Sequence, residues 1–517
     1  IGFVEAHGTG TALGDPVEVE ALQQVFRSAT DAKQFCALGS LKSNIGHLNT
    51  VSGVAGLIKA AKSVKTGEIP PNLNYNTPNP KIEFANSPFF VPTQLTKWPI
   101  QGTRRAGVSS FGIGGTNTHI IIEEPPPVIS GETARSLHVA FVSAKNATAL
   151  HAACARLTEH LQANPDENIA DICHTLAAGR SLYPFARIAI CRNVQEAIEA
   201  LSSNDASAMI SGERSAARLP VTFLFPGQGS QHVNMGAELY SEEPVFRREL
   251  DNCADLLRTH IGRDLRTLLF AARDAEKEAE ETLRSTQFAQ PAIFAISYAL
   301  AKLWMSLGVS PAASLGHSIG EFVSACLAEV FSLEDALRAV AARGRLMQSM
   351  PPGSMLAVMA PAQQIEMLLP DSISLAAVNT PNATVASGPT DDIAALEQKL
   401  QDLGISSTPL HTSHAFHSSM MDTAVAPFIE VMHGIRLSAP QLPYISNVTG
   451  DWITDEQATD PAYWGQHLRS TVQFYKGLTT IHDQLPGIFL EVGPGRNLTT
   501  LARSLVGDVS GTFIQAS

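Results

Sequence analysis

The chain has 517 residues, which corresponds to two to four domains at roughly 100–200 residues per domain. Hydrophobic residues make up 44% of the chain and charged residues 16%, as in globular proteins that bury hydrophobic cores. The net charge of −13 argues against a nucleic-acid-binding protein, which needs a basic stripe, so we predict no nucleic-acid partner.

The first 124 residues alternate strand-like runs with glycine-rich loops. Two histidines lie in such loops: His7 opens H-G-T-G-T at 7–11, and His47 closes K-S-N-I-G-H at 42–47. Imidazole donates or accepts a proton near neutral pH, so both positions suit proton transfer or an oxyanion site. On the residues alone, each histidine could instead bind a loop carbonyl.

Three motifs of this segment carry a resemblance when they are taken together. H-G-T-G-T, K-S-N-I-G-H and F-G-I-G-G-T-N at 111–117 resemble the C-terminal half of a polyketide-type β-ketoacyl synthase, a partial thiolase fold. The resemblance implies that His7 and His47 are catalytic histidines and that Lys42 is the nearby lysine. The family's nucleophilic cysteine lies in its N-terminal half, which has no match here. We therefore expect residues 1–124 to be inactive in condensation by themselves.

A proline-rich segment, E-E-P-P-P at 123–127, predicts a stiff linker, because proline cannot enter a sheet. Residues 125–218 then show a compact α+β pattern, with a strand at 137–143 and a helix at 149–163. This pattern resembles the linker domain that follows the ketosynthase in modular polyketide synthases, which implies a spacing role. The polar segment 202–218, rich in small residues, predicts the second domain boundary.

A strand at 221–225 opens the last predicted domain, residues 219–517, and ends in the loop P-G-Q-G-S-Q at 226–231. Glycine-rich loops after strands often bind phosphate through backbone N–H groups. This loop lacks the Lys-Ser/Thr pair of a P-loop and the spacing of a dinucleotide-binding fingerprint. We interpret it as a loop of backbone donors that faces the serine of the next motif.

The sequence G-H-S-I-G at 316–320 places Ser318 between two glycines. It lies between a short strand and a helical pattern that opens at Glu321, which is the context of a nucleophile elbow. The glycines let the strand and the helix approach closely, and the strained turn exposes the serine hydroxyl. The N–H of Ile319, at the helix N-terminus, is then free to donate to a developing oxyanion.

Residues 353–410 follow the order βαββαβ, which predicts a ferredoxin-like subdomain inserted into an α/β-hydrolase-like core. The core resumes after the insertion and ends with a strand and a tight turn in E-V-G-P-G at 491–495. The predicted fold class is therefore α/β.

A serine hydroxyl is a weak nucleophile and needs an adjacent base. The candidates are His411, His414 and His417 in H-T-S-H-A-F-H, and the residues alone do not decide among them. No carboxylate or cysteine accompanies these histidines, so we predict no metal site. No aspartate between positions 318 and 417 has a motif around it. We therefore favour a Ser–His dyad, oriented by a carbonyl or an amide, over a triad.

Arg343 opens R-G-R-L-M-Q after an apolar helical run at 333–342. An arginine on such a helix is commonly a surface residue that extends its charge into solvent. The alternative is a fixed guanidinium that grips a substrate carboxylate through two parallel hydrogen bonds.

Five motifs in order carry the second resemblance. F-P-G-Q-G-S-Q, G-H-S-I-G-E, R-G-R-L-M-Q, H-A-F-H-S and E-V-G-P-G resemble a malonyl-CoA:acyl carrier protein acyltransferase of a modular polyketide synthase. They run from residue 225 to residue 495, so the two resemblances and the linker cover nearly the whole chain. By this resemblance the chain is identified as a fragment of a modular type I polyketide synthase.

The resemblance implies a role for each matching residue. Ser318 is the acylated nucleophile, His417 is its base, and Arg343 pairs with the carboxylate of the extender unit. The other implied roles are oxyanion-hole backbone donors at Gln228 and Ile319, site-lining side chains at Gln290 and Asn379, orientation of His417 by Gln473, and substrate specificity at Phe416 and His414. In the family, H-A-F-H accompanies malonyl and Y-A-S-H accompanies methylmalonyl units, since a bulky phenylalanine fills the space of a 2-methyl branch.

These roles predict transfer of a malonyl unit from coenzyme A to the phosphopantetheine arm of a carrier protein, through an acyl-Ser318 intermediate, in polyketide biosynthesis. The expected partners are malonyl-CoA, an acyl carrier protein and other polyketide synthase domains, and we expect no bound cofactor. Two alternatives stay open. One is a hydrolase that clears stalled acyl chains from carrier proteins, which has no use for Arg343. The other is a catalytically silent docking fragment of a split synthase.

The cysteines and the apolar stretches predict the compartment. Six cysteines are scattered without a C-x-x-C pair, which predicts reduced thiols in a cytoplasmic protein. The longest apolar stretch, 291–309, includes Lys302 and has helical periodicity, so we predict a buried helix and no membrane span. The chain opens at Ile1 without a methionine or a basic signal-peptide region, and we expect it to be a fragment.

Overall fold

The computed structural model describes residues 1–127, 135–203, 209–213, 218–506 and 513–516. The chain forms two compact units, Ile1–Gly131 and Glu132–Ser517. Parallel strands form most of the largest sheet in each unit, and the two smaller sheets of the second unit are antiparallel.

The first unit contains a mostly parallel sheet with helices on both faces. Its helices and strands are β1 Phe3–Glu5, α1 Gly14–Arg27, β2 Cys36–Gly39, α2 Lys42–Ile45, α3 Ser52–Thr66, β3 Glu68–Ile69, β4 Phe89–Phe90, β5 Thr96–Lys97, β6 Arg105–Phe111 and β7 Asn117–Glu123. The sheet order is β4-β2-β1-β6-β7, and only β7 is antiparallel to its neighbour. Strand β1 lies at the centre and is buried along its full length. Hydrophobic side chains of α3 cover one face of the sheet, and those of α1 cover the other.

A three-stranded antiparallel sheet with three helices begins the second unit. Its elements are β8 His138–Ala144, α4 Ala147–Ala163, α5 Ile169–Ala178, β9 Phe185–Cys191, α6 Val194–Ser202 and β10 Met209–Glu213, with the sheet order β10-β9-β8. Each helix begins after an asparagine whose side chain accepts a hydrogen bond from the first turn: Asn146, Asn168 and Asn193. These caps explain where the three helices start.

The largest part of the second unit is a parallel α/β core. Its first elements are β11 Val221–Phe225, α7 Ala237–Glu242, α8 Pro244–Ile261, α9 Leu265–Leu269, α10 Glu276–Arg284, α11 Thr286–Ser306, β12 Ala313–Gly316, α12 Gly320–Leu327 and α13 Leu333–Gln348. The predicted buried helix at 291–309 is confirmed as α11, most of whose residues are buried. Within the described ranges, every helix is too short or too polar to cross a lipid bilayer.

A four-stranded antiparallel subdomain interrupts this core. Its elements are β13 Ser354–Val358, α14 Ala362–Glu366, β14 Ser374–Thr380, β15 Ala383–Gly388, α15 Thr390–Asp402 and β16 Ser407–Pro409, with the sheet order β14-β15-β13-β16. The predicted βαββαβ insertion is therefore confirmed. Two backbone hydrogen bonds, from Val378 to Val472 and from Val472 to Ala376, attach β14 to the core.

The core sheet is completed by elements that follow the insertion. They are α16 Asp422–His433, β17 Tyr444–Ile445, α17 Asp455–Thr459, α18 Pro461–Arg469, α19 Phe474–Gln484, β18 Ile488–Glu491, α20 Asn497–Val506 and β19 Phe513–Ala516. All strands are parallel, in the order β17-β12-β11-β18-β19. Because parallel strands end at the same edge of a sheet, the loops after β11 and β12 lie side by side at the carboxyl edge.

The structure agrees with the predicted α/β class and with the predicted subdomain. The boundaries proposed after residues 124 and 218 stay predictions. Parts of the predicted boundary segment 202–218, namely 204–208 and 214–217, lie outside the described residues.

Candidate active site

The serine motif forms a tight elbow between β12 and α12. Ser318 has a φ of +51°, a left-handed conformation that costs a non-glycine residue about 1–3 kcal/mol. A Cβ at Gly316 would lie 2.0 Å from the backbone nitrogen of Glu321, and a Cβ at Gly320 would lie 2.2 Å from the carbonyl oxygen of Phe225. Any larger residue is excluded at both glycines, so the strand and the helix approach as closely as predicted.

The hydroxyl of Ser318 is hydrogen-bonded to His417. Their Oγ and Nε2 atoms are 2.7 Å apart, and Nδ1 of the same ring donates to the carbonyl oxygen of Ser470 at 2.8 Å. A carbonyl oxygen only accepts, so the proton is on Nδ1 and Nε2 is left to accept the serine proton. Among the three candidate histidines, His417 is therefore the one placed as a base.

The imidazole of His417 is neutral at pH 7. Burial is the first cause that holds its pKa well below the usual range, and the Arg343 cation is the second; His467 and His317 act in the same direction. The carbonyl of Ser470 acts in the opposite direction. A neutral imidazole can take a proton from serine, whereas an imidazolium cannot.

Arg343 is a buried cation beside the dyad. The residue is 1% exposed, Nη1 donates to Oε1 of Gln290 at 2.7 Å, and Nη2 donates to Oγ of Ser318 at 3.2 Å. Its guanidinium lies 5.7 Å from the centre of the Phe322 ring, a cation–π contact. Burial lowers the pKa of Arg343 to about 9, and Glu321 opposes this shift, so the group is charged at neutral pH.

The guanidinium of Arg343 still has binding capacity. Its Nε has no hydrogen-bond partner within the described part of the chain, and none of the ion pairs found there involves Arg343. A desolvated cation without a carboxylate in contact is strongly stabilised by an anion of suitable shape. The site can therefore accept a carboxylate next to the serine hydroxyl.

The predicted oxyanion donors lie in the same place. Gln228 and Ile319 both line the cavity that contains Ser318. Neither backbone N–H has a hydrogen-bond partner among the residues that the structure describes. Both groups are thus available to an oxyanion on a substrate attached to Ser318.

The functional groups meet in one cavity of about 440 Å³. Residues of the core and of the inserted subdomain both line it, so it lies between the two. The hydrophobic part of the lining includes Met347, Met355, Val385, Phe416 and Val472. This mixture of an apolar wall and a few fixed polar groups suits a short acyl chain with a charged end.

Asn447 supports the elbow, and no sequence pattern predicts it. Its Oδ1 accepts the backbone N–H of Ser318 at 2.6 Å, and its Nδ2 donates to the carbonyl oxygen of Gly316 at 2.7 Å. Its own N–H donates to Oε2 of Glu321 at 2.7 Å, and Oε1 of that fully buried carboxylate accepts from the hydroxyl of Tyr463. The side chain therefore bridges both ends of the strained turn. An asparagine 129 positions after the serine carries no local signal that sequence reasoning can use.

Four further predicted site residues lie in or near the cavity. Gln290 and Asn379 line the cavity, and Oδ1 of Asn379 accepts from Nε2 of His317 at 2.9 Å. Phe416 also lines it, while His414 is not among the described lining residues and stacks on Phe416 with ring centres 6.0 Å apart.

The prediction that Gln473 orients His417 is corrected by the structure. The hydrogen bond from Nδ1 runs to the backbone carbonyl of Ser470, three residues earlier. The backbone N–H of Gln473 donates to the carbonyl of Asn447 instead. A backbone carbonyl is present at every residue, so no residue type could indicate which one accepts.

The three predicted ketosynthase residues lie in the first unit. The rings of His7 and His47 are 5.6 Å apart in an edge-on arrangement, and Nδ1 of His7 accepts the N–H of Phe111 at 3.3 Å. Burial is the main cause that lowers the pKa values of His7 and Lys42, and the Lys42 charge contributes to the shift of His7. Lys42 and His47 thus both act electrostatically on His7, and the catalytic roles of these three residues stay predictions.

The second unit has the features of a serine-dependent acyl-transfer domain, and comparison with known families gives the same result. The family described as "Acyl transferase domain" matches residues 222–507, more than half of the chain. Those described as "Beta-ketoacyl synthase, C-terminal domain" and "CurL-like, PKS C-terminal" match residues 1–76 and 138–201. The chain belongs to the acyl transferase domain family of modular polyketide synthases, and the predicted family is confirmed.

Whole synthases resemble the chain along nearly all of its length. A phenolphthiocerol/phthiocerol polyketide synthase from Mycobacterium tuberculosis is 39% identical over 516 residues, which cover 96% of this chain and 34% of that protein. Mycoketide-CoA synthase of the same species is 38% identical and matches 100% of this chain and 12% of its own length. The chain therefore spans about a third, or less, of the length of these curated relatives.

Solved acyltransferase structures share the fold. The acyl transferase domain of ZmaA is 36% identical, with a TM-score of 0.69 over 74% of this chain and 89% of that one. The acyl transferase domain of SpnD, in complex with 2-(pent-4-yn-1-yl)malonyl, is also 36% identical, with a TM-score of 0.68 over 74% of this chain and 90% of that one. The predicted α/β fold class is confirmed.

Proposed function

We propose that this acyltransferase domain loads a malonyl extender unit from malonyl-CoA onto the phosphopantetheine thiol of an acyl carrier protein, through malonyl-Ser318. The observation that carries the proposal is Arg343, a buried cation 3.2 Å from the nucleophile and without an ion-pair partner among the described residues. Malonyl-CoA offers a free carboxylate close to its thioester carbonyl. One ligand can therefore pair with Arg343 and present its carbonyl to Ser318.

The first half of the reaction forms the acyl-enzyme. Oγ of Ser318 attacks the thioester carbonyl carbon while Nε2 of His417 takes the hydroxyl proton, across the 2.7 Å hydrogen bond. The carbonyl oxygen becomes an oxyanion, which the N–H groups of Gln228 and Ile319 stabilise. The carbon–sulfur bond then breaks, and the sulfur of coenzyme A leaves with the proton from His417.

The second half runs through the same groups with a different thiol. The phosphopantetheine thiol of the carrier protein gives its proton to Nε2 of His417, and its sulfur attacks the ester carbonyl of malonyl-Ser318. The same backbone donors stabilise the second oxyanion. The carbon–oxygen bond breaks, and Oγ of Ser318 recovers the proton from His417. No atom is oxidised or reduced in either half.

Substrate binding improves the base. The Arg343 charge is one cause of the low pKa of His417. A malonyl carboxylate paired with Arg343 offsets that charge, so the pKa of His417 rises when the substrate is in place. The carboxylate therefore both fixes the acyl group and strengthens the proton acceptor. This coupling favours malonyl over acetyl thioesters beyond the ion pair itself.

Phe416 supports malonyl over branched extender units. Its ring lines the cavity and stacks on His414, and this contact restrains the position of the ring. The SpnD domain is in complex with a malonyl group that carries a pentynyl branch, so this fold accommodates branches in some members. In this chain, exclusion of a branch by the Phe416 ring is the proposed basis of malonyl selection.

The proposal extends to the context of the domain. The substrate is a coenzyme A thioester, the acceptor is a phosphopantetheine on an acyl carrier protein, and other polyketide synthase domains are partners. Residues 1–124, 125–218 and 219–517 are the proposed ketosynthase, linker and acyltransferase parts. The ketosynthase part is proposed to be inactive in condensation without the half that supplies its cysteine nucleophile.

A competition experiment tests this function. The protein is mixed with equal amounts of acetyl-, malonyl- and methylmalonyl-CoA, and the mass added to the intact protein is read at short times. We expect one malonyl group on the peptide that contains Ser318 and no addition to Ser318→Ala. Predominant acetyl or methylmalonyl addition would refute the proposed specificity, and malonyl addition that persists in Ser318→Ala would refute the nucleophile.

A further inference from the structure

A chain of three hydrogen bonds connects Arg343 to the loop after β11. Nη1 of Arg343 donates to Oε1 of Gln290 at 2.7 Å, and Nε2 of Gln290 donates to Oγ1 of Thr286 at 2.8 Å. Oγ1 of Thr286 then donates to Oε1 of Gln228 at 2.7 Å. Thr286, Gln290 and Arg343 are at most 1% exposed. One buried hydroxyl thus lies between the carboxylate-binding arginine and an oxyanion donor.

Thr286 is attached to a rigid part of the core. It is the first residue of α11, and its backbone N–H donates to Oε1 of Gln348 at 3.0 Å. Gln348 ends α13, the helix that also carries Arg343. The two helices approach closely at Gly344, where a Cβ would lie 2.9 Å from the carbonyl oxygen of Thr286. The hydroxyl of Thr286 is therefore held in a fixed position relative to Arg343.

The loop that Thr286 contacts has little conformational preference of its own. Gly227 and Gly229 flank Gln228, and Gly229 has a φ of +118°, which glycine adopts without a steric penalty. Glycines on both sides leave many backbone geometries open, of which few place the N–H of Gln228 correctly. The hydrogen bond from Thr286 is a tertiary contact that selects among them. Thr286 itself is not among the described residues that line the cavity.

We propose that Thr286 is a positioning residue for acyl transfer: its hydroxyl fixes Gln228, and with it the oxyanion site, on the helix junction that carries Arg343. This inference rests on the proposed function. Without the hydroxyl, Oε1 of Gln228 and Nε2 of Gln290 both lose a buried partner, and the loop is free to move. The chemical step then slows, while Arg343 continues to bind the carboxylate.

Two substitutions at this position separate the hydroxyl from the methyl group. Thr286→Val keeps the shape and removes the hydroxyl, and Thr286→Ser keeps the hydroxyl and removes the methyl group. Single-turnover acylation of Ser318 by malonyl-CoA is measured by rapid quench and intact mass. We expect Thr286→Val to lower the maximal rate roughly 10²-fold, the loss typical of one oxyanion donor. Its half-saturating malonyl-CoA concentration stays near that of the wild type, and Thr286→Ser acylates at nearly the wild-type rate.

A structural role alone gives the opposite pattern. If the methyl group matters for packing, Thr286→Ser is the slower variant; that result, or a wild-type rate for Thr286→Val, overturns the proposal. A loss confined to the half-saturating concentration overturns it too, because positioning acts on the chemical step. Gln228→Leu removes the acceptor from the other end and keeps the backbone N–H. It is expected to reproduce the Thr286→Val rate, and thermal melts check that each variant is folded.

A second probe separates this inference from the proposed substrate. A fluorophosphonate without a carboxylate reacts with an activated serine and places its phosphoryl oxygen in the oxyanion site. We expect Thr286→Val to slow its reaction with Ser318 and Thr286→Ser to leave it unchanged. If the wild type reacts with the probe but not with malonyl-CoA, the proposed substrate is wrong, and the fluorophosphonate rates still decide the role of Thr286.

Discussion

Removal of the Arg343 guanidinium should change which acyl group the domain transfers. In Arg343→Ala, a bound malonyl carboxylate would lose a buried, charge-assisted partner, which costs about 2–5 kcal/mol. The residue is only 1% exposed, so solvent screens the lost interaction little. We therefore expect a loss of about 3 kcal/mol or more, roughly 10²-fold in kcat/KM for malonyl-CoA.

The same substitution should spare acetyl-CoA, which has no carboxylate to lose. Without the nearby cation, the pKa of His417 rises toward its usual range, so the base is not weakened. The assay compares kcat/KM for the two thioesters by coenzyme A release. Arg345→Ala is the matched control, because Arg345 is an exposed residue on the same helix. An equal loss for malonyl- and acetyl-CoA would refute the reasoning.

Four further predictions concern the base, the wall of the cavity, the support of the elbow and a helix cap outside the site. Because the pKa of His417 in the unliganded protein lies well below about 6.5, kcat/KM for acylation should stay constant from pH 8 to pH 6.5; a half-maximal kcat/KM near pH 6.5 contradicts this. Phe416→Ser should raise the methylmalonyl-to-malonyl ratio of kcat/KM by roughly tenfold or more, measured by competition, and an unchanged ratio removes Phe416 from the specificity site. Asn447→Ala should slow phosphonylation of Ser318 by a fluorophosphonate, since the strained turn loses two hydrogen bonds, and a wild-type rate would show that the elbow holds by itself. Thr454 begins α17 and forms a capping box with Gln457, so Thr454→Ala should lower the free energy of unfolding by about 1 kcal/mol in a calorimetric melt and leave acylation unchanged; an altered acylation rate would contradict this.

The sequence predicts the inserted subdomain and the elbow around Ser318, because both depend on residues that are close together in the chain. The inserted subdomain follows from the sequence within a few residues at each element, since its strands and helices have clear periodicity and are separated by turn residues. The elbow around Ser318 is equally accessible, because the two glycines that it needs are close to the serine in the sequence. The residues that the tight turn requires are therefore part of the motif itself.

Contacts between groups that are far apart in the sequence could not be predicted in this way. His411, His414 and His417 lie within seven positions, and only the fold shows that His417 is 2.7 Å from the serine hydroxyl. Ser470 contributes a backbone carbonyl, which leaves no trace in the residue types. Thr286 acts through one hydroxyl at a helix start, where threonine is common for ordinary structural reasons.

For Arg343, the structure decides between two interpretations that the sequence left open. On the sequence, an arginine in an apolar helix fits a surface position as well as a ligand site. In the structure it is almost fully buried and donates to the hydroxyl of Ser318, so the surface interpretation is wrong. Burial of a cation without a carboxylate in contact is costly, which supports the proposed role of Arg343 in binding the substrate carboxylate.

Isotope exchange between malonyl-CoA and free labelled coenzyme A tests the central claim most directly. The claim is that Ser318 and His417 transfer a malonyl group between thiols and do not release it to water, and the exchange needs no carrier protein. We predict that label enters malonyl-CoA much faster than free malonate appears, and that Ser318→Ala abolishes the exchange. Accumulation of free malonate without exchange would contradict the account and would identify the domain as a hydrolase.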